Sequence, residues 1–314
     1  NGLAFDFPIL NKLWGTSINF KNIQDTLIMS RLYNPERDGG HSLNNWGVML
    51  GFRKIDFTAF SEYTPEMLEY CVRDVLITEK VYSYLLLEGK EFSDKSLELE
   101  HQIAHVINRQ KLYGFYVDKR KAVDLFAETQ GRAKSIERKI KEDFLPKAKI
   151  LREVTPKYKK DGKMSKVGLC GIDGVVGPFS LIKFKEFNLA SPKQIVERLN
   201  EYGWTPKVFT PKGSPKICEE NLNTVRDSAP EAAKKLAEWK MLETRWKTVE
   251  AWLENLDSNS RIHGSVYTMG AVTGRMTHAN PNMANIVSVD KPYGTECRSC
   301  FTVPNSFQKI VGMD

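Results

Sequence analysis

The chain has 314 residues, 41% of them hydrophobic and 27% charged, with 46 Lys plus Arg against 39 Asp plus Glu for a net charge of +7. That composition excludes a collagen-like, low-complexity or membrane-spanning protein, because no apolar run nears the roughly 20 residues that cross a bilayer. The length suits two domains, and the mild basic excess suits a polyanionic partner without proving one.

Residue 1 is Asn, and residues 308–314 read as an apolar strand cut at a carboxylate, so the chain reads as an internal piece of a longer protein. Five cysteines at 71, 170, 218, 297 and 300 are odd in number and widely spaced, which suits a reducing compartment. Cys297-Arg298-Ser299-Cys300 has the spacing of half a zinc site, but no second ligand pair follows, so two ordinary cysteines are expected.

In chain order, Ile18 to Leu27 has the composition of a strand, and Asp38-Gly39-Gly40 marks a loop. Thr64-Pro65-Glu66 is a helix start, with a hydroxyl at the N-cap and Pro in the first turn, and Gly89 is its stop. A mixed α/β domain ending near residue 90 fits these signals. A second helix spans about 94–113 and ends at Gly114, and Phe115-Tyr116-Val117 is a short strand. Asp118 caps a helix running to about 145. Residues 147–187 alternate short β-branched and aromatic stretches with Gly and Pro, and Asp161-Gly162 is a hairpin dipeptide. Ser191-Pro192 opens a helix closed by Gly203. From Pro230 to Asn255, Leu242, Trp246, Val249, Leu253 and Leu256 form one apolar stripe, so Trp239, Trp246 and Trp252 are packing residues. Strand and loop signals follow from Ile262.

Tyr70 and Asp74 lie four apart on the helix that starts at Thr64, hence on one face, where a phenol and a carboxylate can bind a metal and orient a water. Taken alone, such a pair is usually a packed Tyr beside a solvated Asp. Asn1-Gly2-Leu3-Ala4-Phe5-Asp6 changes this. Asn-x-x-x-Phe-Asp followed by Tyr-x-x-x-Asp resembles the second and third motifs of the tyrosine subclass of DEDD-type 3′–5′ exonucleases. The resemblance implies that Asp6 and Asp74 are metal ligands and that Tyr70 orients the attacking water, with two Mg²⁺ per site. That family's first motif, Asp-x-Glu, is missing from this chain.

A second stretch carries more. Thr273-Gly274-Arg275, followed by His278 and by Pro281-Asn282-Met283-Ala284-Asn285-Ile286, resembles the start of the palm in family A DNA polymerases. Gly permits close approach of a backbone to nucleic acid, Arg offers a planar fork of donors, and amides reach base edges or sugar. Arg298 and the closing Gly312-Met313-Asp314 are similar to the palm strand that carries the first metal-binding Asp, so Asp314 is implied as a ligand of both catalytic metals.

The resemblance runs through His41-Ser42-Leu43-x-x-Trp46-Gly47 and Asn188-Leu189-Ala190-Ser191-Pro192-Lys193-Gln194-Ile195, and is nearest to replicative polymerases of podovirus-type bacteriophages. It implies an α/β (α+β) chain: a truncated ribonuclease H-like exonuclease domain at 1–90, a mainly helical thumb at 91–260 with a basic insertion at about 147–187, and the first strands of a palm at 261–314. It also implies template-directed nucleotidyl transfer and 3′–5′ proofreading, on primer–template DNA and deoxynucleoside triphosphates. Partners would be a helicase-primase and a single-strand-binding protein, in the cytoplasm of an infected bacterium. Lys157, Lys159, Lys160, Lys163 and Lys166 make the insertion basic enough to contact duplex phosphates. In the best-known phage relative a long insertion in the thumb recruits host thioredoxin; the matching segment here, about 147–187, is shorter, which puts that partner in doubt. Each two-metal site lacks carboxylates in this window, so the piece alone is expected to be inactive. The alternatives are a non-catalytic DNA-binding protein and a stand-alone DEDD-type exonuclease, and neither gives the 273–286 stretch a role.

Overall fold

The computed structural model describes residues 2–165, 172, 175, 177–225 and 229–311. The chain divides into two units, residues 1–122 with 251–314, and residues 123–250.

The first unit begins with a π-helical turn, Gly2–Asp6, that runs into α1 (Phe7–Trp14). The stretch from Ile18 to Leu27, expected as a strand, instead holds a 3₁₀ turn at Phe20–Asn22 and the start of α2 (Thr26–Tyr33). Its caps decide the outcome: the Asn19 side chain accepts from the Lys21 amide, and that of Asp25 from the Leu27 amide. After α3 (Leu43–Met49), α4 (Pro65–Glu88) begins where the Thr64 hydroxyl accepts from the Met67 amide at 3.2 Å. Ile77, Val81 and Leu85 recur on one face of α4 and are buried with Met29 of α2 and Trp46 of α3. Each such side chain contributes about 1.5–3 kcal/mol by leaving water, and trimming one to Ala costs about 2–5 kcal/mol.

The same stripe, followed back toward the helix N-terminus, passes through Asp74 and Tyr70. The described residues before α5 hold no strand, so the α/β character expected of 1–90 is not seen there. The core of this part is helix on helix.

Helix α5 (Asp94–Tyr113) ends at Gly114, and β1 (Phe115–Tyr116) leads to α6 (Lys119–Asp143), whose Lys121 amide donates to Asp118 Oδ1 at 3.1 Å. In the second unit, β2 (Lys147–Val154) pairs antiparallel with β3 (Phe179–Lys185), with a bulge between Ile150 and Arg152. Helix α7 (Pro192–Asn200) buries Ile195 and Leu199, and the short α8 (Glu219–Leu222) brings in Asn221. The buried Asn221 amide uses both ends: it accepts from the Lys207 and Val208 amides and donates to the Val208 and Lys216 carbonyls. Nothing in the sequence marked it.

Helix α9 (Glu231–Glu254) buries Leu236, Trp239, Leu242, Val249 and Trp252. Trp246 meets Phe126 edge-on with ring centroids 6.2 Å apart. The tryptophans are packing residues, as expected.

Back in the first unit, β4 (Arg261–Ile262) pairs with β1, and β5 (Ser265–Tyr267) pairs with β6 (Thr277–Ala279). A short helix, α10 (Gly294–Ser299), follows. The apolar strand expected over 308–314 is not formed at 308–311, and 312–314 lie outside the described residues. The structure is therefore mixed, helices with small two-stranded sheets.

Candidate functional site

Asp74 sits midway along α4, with Tyr70 one turn before it. The extended segment after α3 is laid across this face. Gly47 makes the reversal possible: the Phe52 amide donates to its carbonyl at 2.8 Å, and a Cβ there would stand 2.9 Å from the Phe52 carbonyl oxygen. The Arg73 guanidinium then lies 4.1 Å from the Phe52 ring centroid, and Phe57 and Phe60 pack on the Tyr70 ring at 5.6 and 5.7 Å. Between these anchors, Lys54 Nζ donates to Asp74 Oδ2 at 2.7 Å and to the Tyr70 hydroxyl at 3.1 Å. Burial works against the Lys54 charge, but the hydrogen bonds it donates to Asp74 and Tyr70 outweigh it and raise its pKa above the ordinary value. Sequence reasoning missed Lys54.

Asp74 Oδ1 is buried and has no hydrogen-bond partner among the described residues. Asp6 is exposed at the N-cap position of α1, but its side chain makes no capping bond there. It lines a cavity of about 730 Å³ with Gly2, Asp25, Arg31, His41 and Thr78. Thr78 is one turn beyond Asp74, and its hydroxyl donates to the Asp74 carbonyl at 2.8 Å. Asp6 thus shares a cavity with the turn that follows Asp74, and Asp74 itself is not in that lining. Among the described residues, no group of three or more His, Cys, Asp or Glu could hold a metal.

The motif around His41 is structural. The His41 ring meets the Ser30 hydroxyl at 2.8 Å, the Trp46 indole donates to the same hydroxyl at 3.3 Å, and Ser42 caps α3 by accepting from the Asn45 amide. Burial, with nearby Arg31 and Arg37, lowers the His41 pKa despite an opposing backbone hydrogen bond at Pro35. The Asn188 motif is also a helix entry: Asn188 accepts from the Ala190 amide, and Gln194 reaches back to accept from the Asn188 amide.

Thr273, Gly274 and Arg275 lie in the loop that joins β5 to β6 and are exposed. The Ala271 amide donates to the Arg275 carbonyl at 3.0 Å, and the Gly274 amide to the Ala271 carbonyl at 2.9 Å. Gly274 takes φ +76°, which glycine adopts without strain. The Arg275 guanidinium has no partner among the described residues. His278 sits half-buried on β6 opposite Val266, while Asn282 and Asn285 are exposed beyond the cis Asn280–Pro281 bond. The Asn282 side chain accepts from the Ala284 amide. Arg298, on α10, donates from Nε to the Val287 carbonyl at 3.0 Å. Cys297, on the same helix, and Cys300, at its C-cap, are buried. Asp314 lies outside the described residues, as does Lys166.

In the second unit, Lys157, Lys159, Lys160 and Lys163 are exposed on a tight turn beyond β2. There the Ser165 amide donates to the Lys157 carbonyl, and the Lys159 amide to the Lys163 carbonyl. The strands below add basic pairs: Lys147 stands opposite Lys185, and Lys149 opposite Lys183. Like charges directly opposed destabilise a ladder unless an anion lies against them. No helix among the described residues is long and apolar enough to cross a membrane.

Residues 178–314 match DNA polymerase family A. The chain is 29% identical to the DNA-directed DNA polymerase of Escherichia phage T7 and 29% identical to that of Enterobacteria phage T3, each match covering 99% of this chain and 58% of the relative. It is 26% identical to DNA polymerase I of Helicobacter pylori, over 93% of this chain and 28% of that protein. The chain thus spans 58% of the length of the phage relatives. A solved structure, the polymerase domain of Pol1 from M. smegmatis in complex with DNA primer-template and dNTP, is similar with a TM-score of 0.61 at 18% identity, over 89% of this chain and 41% of that one, a likeness of fold. Residues 178–314 thus match DNA polymerase family A, and the chain as a whole is similar to the phage T7 and T3 DNA polymerases.

Proposed function

We propose that the chain is a segment of a phage-type DNA-directed DNA polymerase with a 3′–5′ proofreading exonuclease. On this reading, residues 1–90 belong to the exonuclease domain, 91–260 to the thumb, and 261–314 to the palm. The observation that carries it is the exposed, unpartnered Arg275 at a glycine-bearing hairpin tip inside the stretch that matches family A. A non-catalytic DNA-binding module or a stand-alone exonuclease leaves that hairpin without a task.

In the exonuclease part, the bare, buried Asp74 Oδ1 suits a divalent cation, because a carboxylate oxygen out of water needs a positive partner. Asp74 and Asp6 would hold Mg²⁺ there, and Asp314 would hold it in the polymerase site. When bound, the ions lower the pKa of a water and stabilise the leaving oxygen of a phosphodiester. Tyr70 orients that water, with its ring fixed by Phe57 and Phe60. Arg275 presents its fork to minor-groove acceptors near the primer end, and Asn282 and Asn285 reach sugar or base edges. Lys157, Lys159 and Lys160 neutralise duplex phosphates. The substrates are primer–template DNA and deoxynucleoside triphosphates; the Pol1 neighbour was solved with both. A helicase-primase and a single-strand-binding protein are the proposed replisome partners, in the cytoplasm of an infected bacterium.

The test is primer extension and mismatched-end excision by the whole protein. It should extend a primer and excise a mismatch with Mg²⁺. Asp74→Ala should abolish excision and spare extension, and Tyr70→Phe should keep more excision than Asp74→Ala. Failure to extend any primer overturns the reading; the reverse order of the two variants overturns the roles.

A further inference from the structure

Lys54 stands on the carboxylate read above as a metal ligand, and three contacts hold it there. Its Nζ donates to Asp74 Oδ2 at 2.7 Å, donates to the Tyr70 hydroxyl at 3.1 Å, and lies 4.9 Å from the Tyr70 ring centroid. One Asp74 oxygen therefore already has a cation, while the other is buried with no partner among the described residues. The arrangement is half of an ion site, with an ammonium in the place of a first positive charge and a vacant acceptor for a second.

We propose that Lys54 is the resident cation of this site: it holds Asp74 and Tyr70 in register while no divalent ion is bound, and it competes with that ion for Asp74. The inference rests on the reading of Asp74 as a metal ligand. Its physical basis is charge. A divalent ion at Asp74 comes within a few ångströms of the ammonium, and like charges that close disfavour each other. Lysine suits the task. Its four-carbon stem lets the head swing to water without moving the backbone, and the side chain is already 21% exposed. When Lys54 leaves, it also frees the Tyr70 hydroxyl to hydrogen-bond a water. Ion arrival and Tyr70 release are thus one event, and an empty site keeps its tyrosine occupied.

The experiment titrates the 314-residue chain with Tb³⁺, a luminescent stand-in for the divalent ion, excited through tyrosine. Asp74→Asn identifies the component that belongs to this site by removing it. Lys54→Met should tighten that component about tenfold. Lys54→Gln, which keeps a donor for Tyr70 without the charge, should do the same, and Lys54→Arg should stay within about twofold of the parent. In the unaltered chain, saturating Mn²⁺ should raise the rate at which Lys54 is acetylated, read by mass spectrometry. That arm holds even if a neutral variant does not fold. Unchanged or weaker Tb³⁺ binding in the neutral variants, or an acetylation rate indifferent to Mn²⁺, overturns the role of Lys54 while leaving Asp74 a ligand. Tb³⁺ binding that is indifferent to Asp74→Asn overturns the reading of Asp74 itself.

Discussion

Asn108, on α5, donates from its side-chain amide to the Leu3 carbonyl at 3.1 Å. The Leu3 amide donates in turn to Asp25 Oδ2 at 3.1 Å, so both backbone groups of this buried residue are tied down. Asp25 is itself held, because its amide donates to His101 Nε2 of α5 at 2.8 Å. The turn that carries Asp6 is thus fixed through its own backbone by groups far along the chain. Asp6 is exposed but rides on an anchored segment.

Asn108→Ala should cost about 1 kcal/mol, the net worth of a neutral hydrogen bond. Asp25→Ala should cost more, about 2–4 kcal/mol, because it strips a carboxylate from two amides, that of Leu3 and that of Leu27. Urea denaturation checks the order, and amide exchange at residues 2–6 should speed up in both variants. Equal effects would mean the carboxylate is not the main anchor.

Glu243 gives a pH dependence. It is 6% exposed on α9, with Lys240 Nζ at 2.6 Å and Lys247 Nζ at 2.6 Å on its two oxygens. Burial alone would raise its pKa, but the two ammonium groups outweigh it and hold the carboxyl below its ordinary 4.5. A group with a depressed folded pKa stabilises the fold above its unfolded value and loses that contribution as pH falls through the folded value. Glu243→Gln should therefore destabilise the chain at pH 7, by about 1–3 kcal/mol, and the gap from the parent should shrink as pH drops below about 4.5. A gap that is constant down to acid pH would show that shape, not charge, matters at this site.

Cys300 offers a chemical test of the packing. Burial, helped by Cys297 and Asp118, pushes its thiol pKa up to about 11. Cys71 is exposed on α4. At pH 8, a thiol reagent should label Cys71 rapidly and Cys300 only on unfolding, since the thiolate is the nucleophile. Comparable rates in the folded chain would contradict the burial of Cys300 at the C-cap of α10.

The helices with chemical punctuation were legible in the residues: Thr64-Pro65 and Gly89, Asp118, Ser191-Pro192, and the Asp161-Gly162 turn. The stretch from Ile18 to Leu27 misled because its β-branched composition is overridden by the side-chain caps of Asn19 and Asp25. Helix α10 begins without a side-chain cap, so no local signal announced it. Tyr70 and Asp74 were legible because helical spacing puts them together. Lys54 was not, since its partners lie 16 and 20 residues away and only the course of an irregular segment over α4 brings them into contact.

The lysines beyond β2 should contribute phosphate contacts only. Neutralising Lys157 and Lys159 should weaken binding to matched and mismatched primer ends alike, and should lower the slope of log K against log salt by about 2 at most. A loss confined to one kind of end would argue for base or terminus sensing there.

Arg275→Ala tests whether residues 261–314 belong to a polymerase palm that senses a primer end. The measurement is the equilibrium binding of the chain to primer–template DNA with matched and mismatched 3′ ends, at several salt concentrations. Acceptors fit for the Arg275 fork are present in the minor groove of every correct pair. A minor-groove contact by Arg275 predicts a loss of about 1–3 kcal/mol on matched ends, little loss on mismatched ends, and a salt slope unchanged. Equal weakening of both ends with a reduced salt slope would make Arg275 one more phosphate contact and contradict a role in sensing the primer end.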